Sequence, residues 1–93
     1  MAEVHRLYRV VRVPETGAWR VRAANGSFAS PSHATRDAAE AYAKGLAQGH
    51  GWARIILHGA DGSIEREFVY GRDRREHDVP GRGAAAVFRP SYY

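Results

Sequence analysis

Residues 35–51 read TRDAAEAYAKGLAQGHG, and this segment predicts the helix of the chain. Thr35 is a favourable N-cap residue, and Asp37 lies in the first turn, where the helix dipole favours a negative charge. Gly49 and Gly51 follow the last apolar residues, and glycine commonly ends a helix because it adopts left-handed backbone angles without strain. We therefore predict a helix that starts just after Thr35 and stops at these glycines.

The apolar face of this helix is narrow. The side chains that recur at helical spacing are Ala39, Tyr42, Ala43 and Leu46. Five alanines between residues 36 and 48 make the helix slim, so it can lie close to a sheet. We expect it to pack on that sheet through Tyr42, Ala43 and Leu46.

Two strands and a turn precede the helix. Residues 7–13 are rich in β-branched and aromatic side chains, and residues 14–17, PETG, are typical of a turn. Residues 19–23 alternate apolar and basic side chains, as a strand with one buried face does. Asn25-Gly26 predicts a second tight turn, which leads into a short third strand through residues 28–29.

The turn at residues 14–17 sets the pairing of the first two strands, with Val10 opposite Val21. The face expected to enter the core carries Tyr8, Val10, Trp19 and Val21. The other face carries Leu7, Arg9, Val11, Val13, Arg20 and Arg22.

A second hairpin follows the helix, with strands at residues 52–57 and 64–70 and a turn at residues 59–62. The element order is ββ(β)αββ. It predicts an α+β fold of two layers, one helix packed on a mostly antiparallel sheet of four to five strands. We predict that residues 1–71 form this single domain. Residues 72–93 predict a basic tail containing Gly, Ala and Pro, flexible unless a partner orders it.

The composition excludes several classes of protein. The 93 residues suffice for one domain, and no run of apolar residues is long enough to span a membrane. The N-terminus lacks the apolar stretch of a secretory leader. The chain has no cysteine, hence neither disulfides nor thiolate metal ligands. We expect a cytoplasmic protein.

The charge is moderately basic, at +4, and thirteen of the fourteen basic residues are arginine. Arginine binds phosphate and carboxylate groups well because its planar fork contacts two oxygens at once. The charge is not concentrated in one stripe, however, since residues 1–71 and 72–93 each carry +2. Arginines scattered over a solvated surface are therefore an equal alternative.

Several short motifs together resemble one bacterial family. In chain order they are Tyr8-x-Val10-Val11, Gly17-x-Trp19-x-Val21, Thr35-Arg36-x-x-Ala39, His58-Gly59-x-Asp61-Gly62-x-Ile64 and Tyr70-Gly71. Their order and spacing resemble the family called domain of unknown function 2188, over residues 7–71. Arg9 stands where that family commonly has histidine, and Arg36 where it has lysine. The resemblance implies a compact α+β domain, with no assigned activity and no catalytic residues to carry over.

No group of residues predicts catalysis or a bound cofactor. The histidines at positions 5, 33, 50, 58 and 77 lack the spacing of metal ligands, and no nucleophile or phosphate-loop motif is present. We expect His58 to hold the turn at residues 59–62 by a hydrogen bond. We expect Glu65 and Glu67 to pair with arginines on neighbouring strands. The chain is predicted not to be an enzyme.

Two groups of residues are candidate binding sites. On the sheet face away from the helix they are Arg9, Arg20, Arg22 and Arg54, which would hold phosphate groups. In the tail they are Arg72, Arg74, Arg75, Phe88, Tyr92 and Tyr93, which would contact a protein partner or a second copy. The same sheet face carries Val11 and Val13, and an exposed apolar face often marks an interface.

These observations give one hypothesis and one alternative. The hypothesis is a small, non-enzymatic binding module that self-associates into a homo-oligomer and engages a protein or nucleic-acid partner through the arginine-bearing face. The alternative is a small accessory protein dedicated to DNA or RNA binding. Neither involves a membrane.

Overall fold

The computed structural model describes residues 6–78, which form one helix and five strands. The elements are β1 (Leu7–Arg12), β2 (Trp19–Ala23), α1 (Arg36–His50), β3 (Trp52–His58), β4 (Ile64–Gly71) and β5 (His77–Asp78). The strands make a single sheet in the order β2-β1-β3-β4-β5. β1 and β3 are parallel, and the other three pairings are antiparallel. The predicted α+β class, with one helix on a mostly antiparallel sheet, is confirmed.

The first hairpin has the predicted register. Val10 lies opposite Val21, and both side chains are fully buried. The turn between the strands is closed by a 2.7 Å hydrogen bond from the Gly17 N–H to the Val13 carbonyl, with Gly17 at φ 75°. A positive φ of this kind suits glycine, which explains why the turn ends on that residue.

The optional third strand is reduced to two isolated bridges, Arg22 with Phe28 and Trp19 with His33. Between these bridges the buried side chain of Ser30 replaces a backbone partner, because its hydroxyl oxygen accepts a 2.8 Å hydrogen bond from the Val21 N–H. Pro31 follows directly and has no N–H to donate, so a regular ladder cannot continue. The fifth strand is β5, at the opposite edge of the sheet.

The helix starts and stops on the predicted residues. The Thr35 hydroxyl accepts a 3.1 Å hydrogen bond from the Ala38 N–H, and Gly51 caps the other end at φ 100°. Of the residues predicted to face the sheet, Ala43 is buried as expected, but the buried line is completed by Ala39 and Ala47 and does not include Tyr42 or Leu46. Tyr42 lies to one side, 38% exposed, with its ring centroid 5.4 Å from that of His33.

The core lies between α1 and the face of the sheet that the helix covers. Its strand residues are Tyr8, Val10, Val21, Ala53, Ile55, Leu57, Phe68 and Tyr70. Leu46 is only partly buried against this cluster. No helix within residues 6–78 is long and apolar enough to cross a membrane.

Residues 72–78 make ordered contacts beyond the predicted domain boundary. β5 pairs with β4, and Glu76 forms ion pairs with Lys44 of the helix and with Arg66 of β4. Hydrogen bonding to Lys44 lowers the pKa of Glu76. Burial acts to lower the pKa of Lys44, but its hydrogen bonds to Glu76 and Glu40 outweigh burial and raise it.

The lowered pKa of Glu76 makes its contribution to stability depend on pH. Because folding lowers the pKa of Glu76, the contribution of Glu76 to stability is present above the ordinary carboxyl pKa and is lost as the pH falls through the folded value.

The predicted domain boundary at residue 71 stays a prediction. Phe88, Tyr92 and Tyr93 lie outside the described residues.

Candidate anion-binding site

The sheet has one face that the helix does not cover, called the open face below. Alternation along the strands places on it Leu7, Arg9, Val11, Arg20, Arg22, Trp52, Arg54, Ile56, Glu67 and Val69. The face predicted from the first hairpin is therefore extended by two further strands.

The open face exposes less apolar surface than the sequence indicates. Ile56, at its centre, is only 3% exposed and lies between Arg9 on β1 and Glu67 on β4. Glu67 has a side chain 6% exposed and pairs with Arg54 at 3.2 Å. Arg9 and Glu67, the neighbours of Ile56 on the two adjacent strands, have long side chains of the kind that cover aliphatic neighbours with their stems.

Basic residues on the helix and on the second hairpin all have carboxylate partners. The ion pairs are Arg36–Glu65, Lys44–Glu40, Lys44–Glu76, Arg54–Glu67, Arg66–Glu76 and Arg66–Asp78. The expected pairing of Glu65 and Glu67 with arginines is confirmed. Charge on this half of the molecule is thus neutralised internally.

The first hairpin is different. Its basic residues, called the arginine cluster below, are Arg9, Arg12, Arg20 and Arg22. Within the described residues 6–78, none of them forms an ion pair with a carboxylate. Residues 7–23 carry four arginines and one glutamate, a net charge of +3, whereas residues 52–71 carry two arginines and three carboxylates, a net charge of −1. Positive charge is therefore concentrated at one side of the sheet.

Arg9 is held in place by a histidine. Its Nη1 lies 3.1 Å from His58 Nε2, and His58 Nδ1 lies 2.9 Å from the Gly62 carbonyl oxygen. A guanidinium only donates and a carbonyl only accepts, so Nε2 accepts and Nδ1 carries the proton. The expected hydrogen bond from His58 to the turn at residues 59–62 is confirmed, and it also orients Arg9.

Arg20 and Arg22 lie against an aromatic ring. Arg20 donates from Nε and Nη2 to the Ser30 carbonyl, at 3.2 and 3.0 Å, and its guanidinium carbon is 4.0 Å from the Phe28 ring centroid. The guanidinium carbon of Arg22 is 5.3 Å from the same centroid. Phe28 is 38% exposed, so part of its surface is accessible beside two cations.

A groove of about 700 Å³ lies at this end of the open face, between the turn of the first hairpin and the turn of the second. Arg9, Arg12, Arg22 and Phe28 line it, together with His58. The residues can hold an anion by charge-assisted hydrogen bonds from guanidinium groups.

Two carboxylates, Glu15 and Asp61, also line the groove. Hydrogen bonds from the N–H and the hydroxyl of Ser63, at 3.0 and 2.7 Å, lower the pKa of Asp61. Asp61 therefore stays negatively charged. The groove still has an excess of positive charge, because Arg9, Arg12 and Arg22 line it beside only these two carboxylates.

The sequence identified part of this site. Arg9, Arg20 and Arg22 do lie together, as predicted, whereas Arg54 is on the same face but paired with Glu67. Arg12 and Phe28 are additions. Arg12 ends β1, where the strand no longer covers the core, and Phe28 follows the Asn25-Gly26 turn that folds it back beside β2.

The tail arginines are placed elsewhere. Arg72, Arg74 and Arg75 are exposed in the segment between β4 and β5, at the opposite edge of the sheet from the arginine cluster. The backbone of Arg74 is left-handed, with φ 59°. These three tail arginines form no continuous surface with Arg9 and Arg22. Within residues 6–78, no three His, Asp or Glu side chains come together as a metal site requires.

A comparison with protein-family models identifies a family that the chain matches. The model described as "Uncharacterized protein conserved in bacteria (DUF2188)" matches residues 8–70, about two thirds of the chain and nearly all of the sheet and helix. The resemblance inferred from the motifs is confirmed. Comparison with curated proteins gave no match, and comparison with solved structures gave none either.

Proposed function

We propose that this chain, which belongs to that uncharacterised bacterial family, is a non-enzymatic binding module that self-associates and engages an anionic partner through its arginine cluster. The observation that carries the proposal is the uneven pairing of charge. Basic residues of α1, β3 and β4 have carboxylate partners, and the four of β1 and β2 have none among the described residues.

The cluster is unfavourable for the isolated domain. Arg9 and Arg22 are directly opposite each other on adjacent antiparallel strands, and like charges in that position destabilise a sheet. An anion bound between them replaces repulsion by two charge-assisted hydrogen-bonded contacts. The partner is an acidic protein surface or a nucleic acid, and a dedicated DNA- or RNA-binding accessory protein is the narrower form of the same function.

The absence of cysteine supports action in the reducing cytoplasm, where disulfides are rare. A further contribution of the tail to partner binding, through Phe88, Tyr92 and Tyr93, belongs to the same proposal. The aromatic side chains would supply anchors of the kind that dominate interface energies.

Retention on immobilised heparin tests the arginine cluster. We expect wild-type protein to bind in low salt, and Arg12→Ala combined with Arg22→Ala to elute at clearly lower salt. Neither of these two side chains makes a hydrogen bond or ion pair within the described residues, so the double variant should fold normally. The difference should shrink as salt rises, because contacts between arginine and a polyanion weaken as counterions are added.

The matched control for this experiment is Arg72→Ala combined with Arg75→Ala, which removes the same charge from the opposite edge of the sheet. It should elute close to wild type. Wild-type protein that passes through the column in low salt would contradict anion binding. Equal losses for the two double variants would show that net charge alone determines retention.

Self-association has separate support at the other end of the open face. There Trp52 is 37% exposed, and the half-buried side chains of Leu7 and Val69 flank Arg54 on the adjacent strands. A second copy packed against these residues would cover the aromatic ring and leave the arginine cluster accessible. A specific interface of this kind would bury about 800 Å² per partner.

Light scattering on the full chain tests this arrangement. We expect a homodimer at tens of micromolar, and Trp52→Lys should make it monomeric because each interface would receive two like charges. Tyr42→Lys is the control, since Tyr42 is equally exposed but lies on the helix. A monomeric wild-type protein would refute self-association. A chain ending at Asp78 keeps β5 and shows whether the tail contributes.

A further inference from the structure

We propose that the groove beside the arginine cluster binds single-stranded nucleic acid, with phosphates on Arg9, Arg12 and Arg22 and a base stacked on Phe28. This inference rests on the proposed anion-binding function and specifies its partner. Proteins that bind single strands combine a positively charged groove with aromatic surfaces for the bases. The described part of this chain contains both elements side by side.

The phosphate side is pre-arranged. His58, at the end of β3, fixes the guanidinium of Arg9 by a hydrogen bond, so Arg9 does not have to be ordered when a ligand binds. Arg22 lies opposite it across the strand pair, and backbones paired in this way are about 5 Å apart. The Arg9 guanidinium is bonded to His58 and the Arg22 guanidinium lies beside Phe28, so the two groups can hold successive phosphates of one strand.

The stacking side is equally fixed. Phe28 is tied to β2 by its bridge with Arg22, and the guanidinium of Arg20 is stacked over its ring, 4.0 Å from the centroid. Arg22 lies over the ring at 5.3 Å, and 38% of Phe28 stays exposed. Arg20 cannot readily leave, because it donates two hydrogen bonds to the Ser30 carbonyl. The accessible part of the ring is therefore a rigid surface next to positive charge, which suits a nucleobase attached to a phosphate backbone.

An acidic peptide fits these strands less well. Peptides commonly bind a sheet by adding a strand at its edge. The outer edge of β2 is already occupied, since Ala29 N–H donates to the Val21 carbonyl at 2.7 Å and Trp19 exchanges two 2.8 Å hydrogen bonds with His33. β1 is an interior strand. A ligand at the cluster must consequently be bound by side chains, as a nucleotide chain is.

A duplex also fits less well. The groove lies between two hairpin turns, and its volume of about 700 Å³ is in the range of sites for small organic ligands, the size of one or two nucleotides. Bases inside a duplex are stacked on each other and offer no free face to Phe28. The site geometry therefore favours an unpaired strand.

The test is fluorescence anisotropy with the full chain and a short fluorescein-labelled oligothymidylate, in parallel with a labelled duplex. We expect the single strand to bind at least tenfold more tightly than the duplex. Phe28→Ala and Phe28→Leu should each weaken the single strand by about tenfold, since loss of one stacking contact has that effect. Phe28→Trp should keep the affinity, because it restores an aromatic face.

Heparin retention separates this inference from the proposed function. Heparin has no bases, so the three folded Phe28 variants should be retained on it like wild type. Tyr42→Ala alters an equally exposed aromatic residue on the helix and should change neither heparin retention nor oligonucleotide binding. Three results would each overturn the single-strand inference alone. They are single-strand binding that the Phe28 substitutions do not change, equal affinity for the duplex, and no oligonucleotide binding by a protein that heparin retains. If wild-type protein neither binds the oligonucleotide nor is retained on heparin, the anion-binding function is overturned as well.

Discussion

Replacing Phe68 by alanine is expected to lower the free energy of unfolding by about 3–5 kcal/mol, the range for removing a fully buried aromatic ring. Phe68 lies in β4 and is among the largest fully buried side chains of the described residues. Its ring also lies 4.6 Å from the guanidinium carbon of Arg66 and 5.5 Å from Lys44 Nζ, so those cations lose a favourable contact.

Urea denaturation followed by circular dichroism measures this effect. Ile64→Ala is the control on the same strand, because Ile64 is 38% exposed and its truncation should cost less than about 1 kcal/mol. Similar unfolding midpoints for the two variants would contradict the assignment of the core to the helix-covered face.

Replacing Gly71 by alanine is expected to cost about 3 kcal/mol, at the upper end for overpacking a filled site. A Cβ atom at this position would overlap the carbonyl oxygen of Gly51 and the ring of Trp52. The ring can move, but the Gly51 carbonyl belongs to the helix cap and accepts a 3.0 Å hydrogen bond from the Arg72 N–H. Relief would require separating β4 from the end of the helix.

Gly45→Ala provides the matched control. Gly45 is an exposed helical residue, and an added methyl group would meet no atom within 4 Å. That substitution should stabilise the protein by up to about 1 kcal/mol, because alanine is a better helix former. Thermal unfolding of both variants measures the two changes in stability. A Gly71→Ala protein as stable as wild type would show that the Gly51 cap moves freely.

Local signals predicted most of the fold. The N-cap at Thr35, the stop at Gly51 and the turns at Gly17 and Gly26 all depend on residues close in sequence, and each is found where expected. The register of the first hairpin followed from its turn, since a short connection allows few alignments.

Features that depend on distant residues were not predictable in the same way. Parallel pairing of β1 with β3 joins segments more than forty residues apart, as in Arg9 with Ile56, and no local pattern encodes it. β5 has only two residues, too few to show a period, and it is joined to the rest by its pairing with β4 and by the ion pair of Glu76 with Lys44. Tyr42 is large and apolar at helical spacing, yet the alanine line lets the helix approach so closely that the ring is displaced sideways.

The candidate site divides similarly. Alternation along β1 and β2 was enough to place Arg9, Arg20 and Arg22 on one face. It could not show that Arg54 is paired with a buried glutamate, since that depends on the alignment of β3 with β4. Arg12 occupies a core-facing position of the alternation, and only its place at the end of β1 directs it to the groove.

The uneven pairing of charge has a kinetic consequence. Residues 7–23 carry a net charge of +3 and residues 52–71 a net charge of −1. The charge is therefore unequal between the β2 side of the sheet and the β4 side. In the field of a polyanion such a body rotates as it diffuses, so the edge formed by β2 leads at first contact. The association rate constant is then higher than the small size of the groove would give. Added salt should weaken binding mainly by lowering the association rate constant, and less by raising the dissociation rate constant.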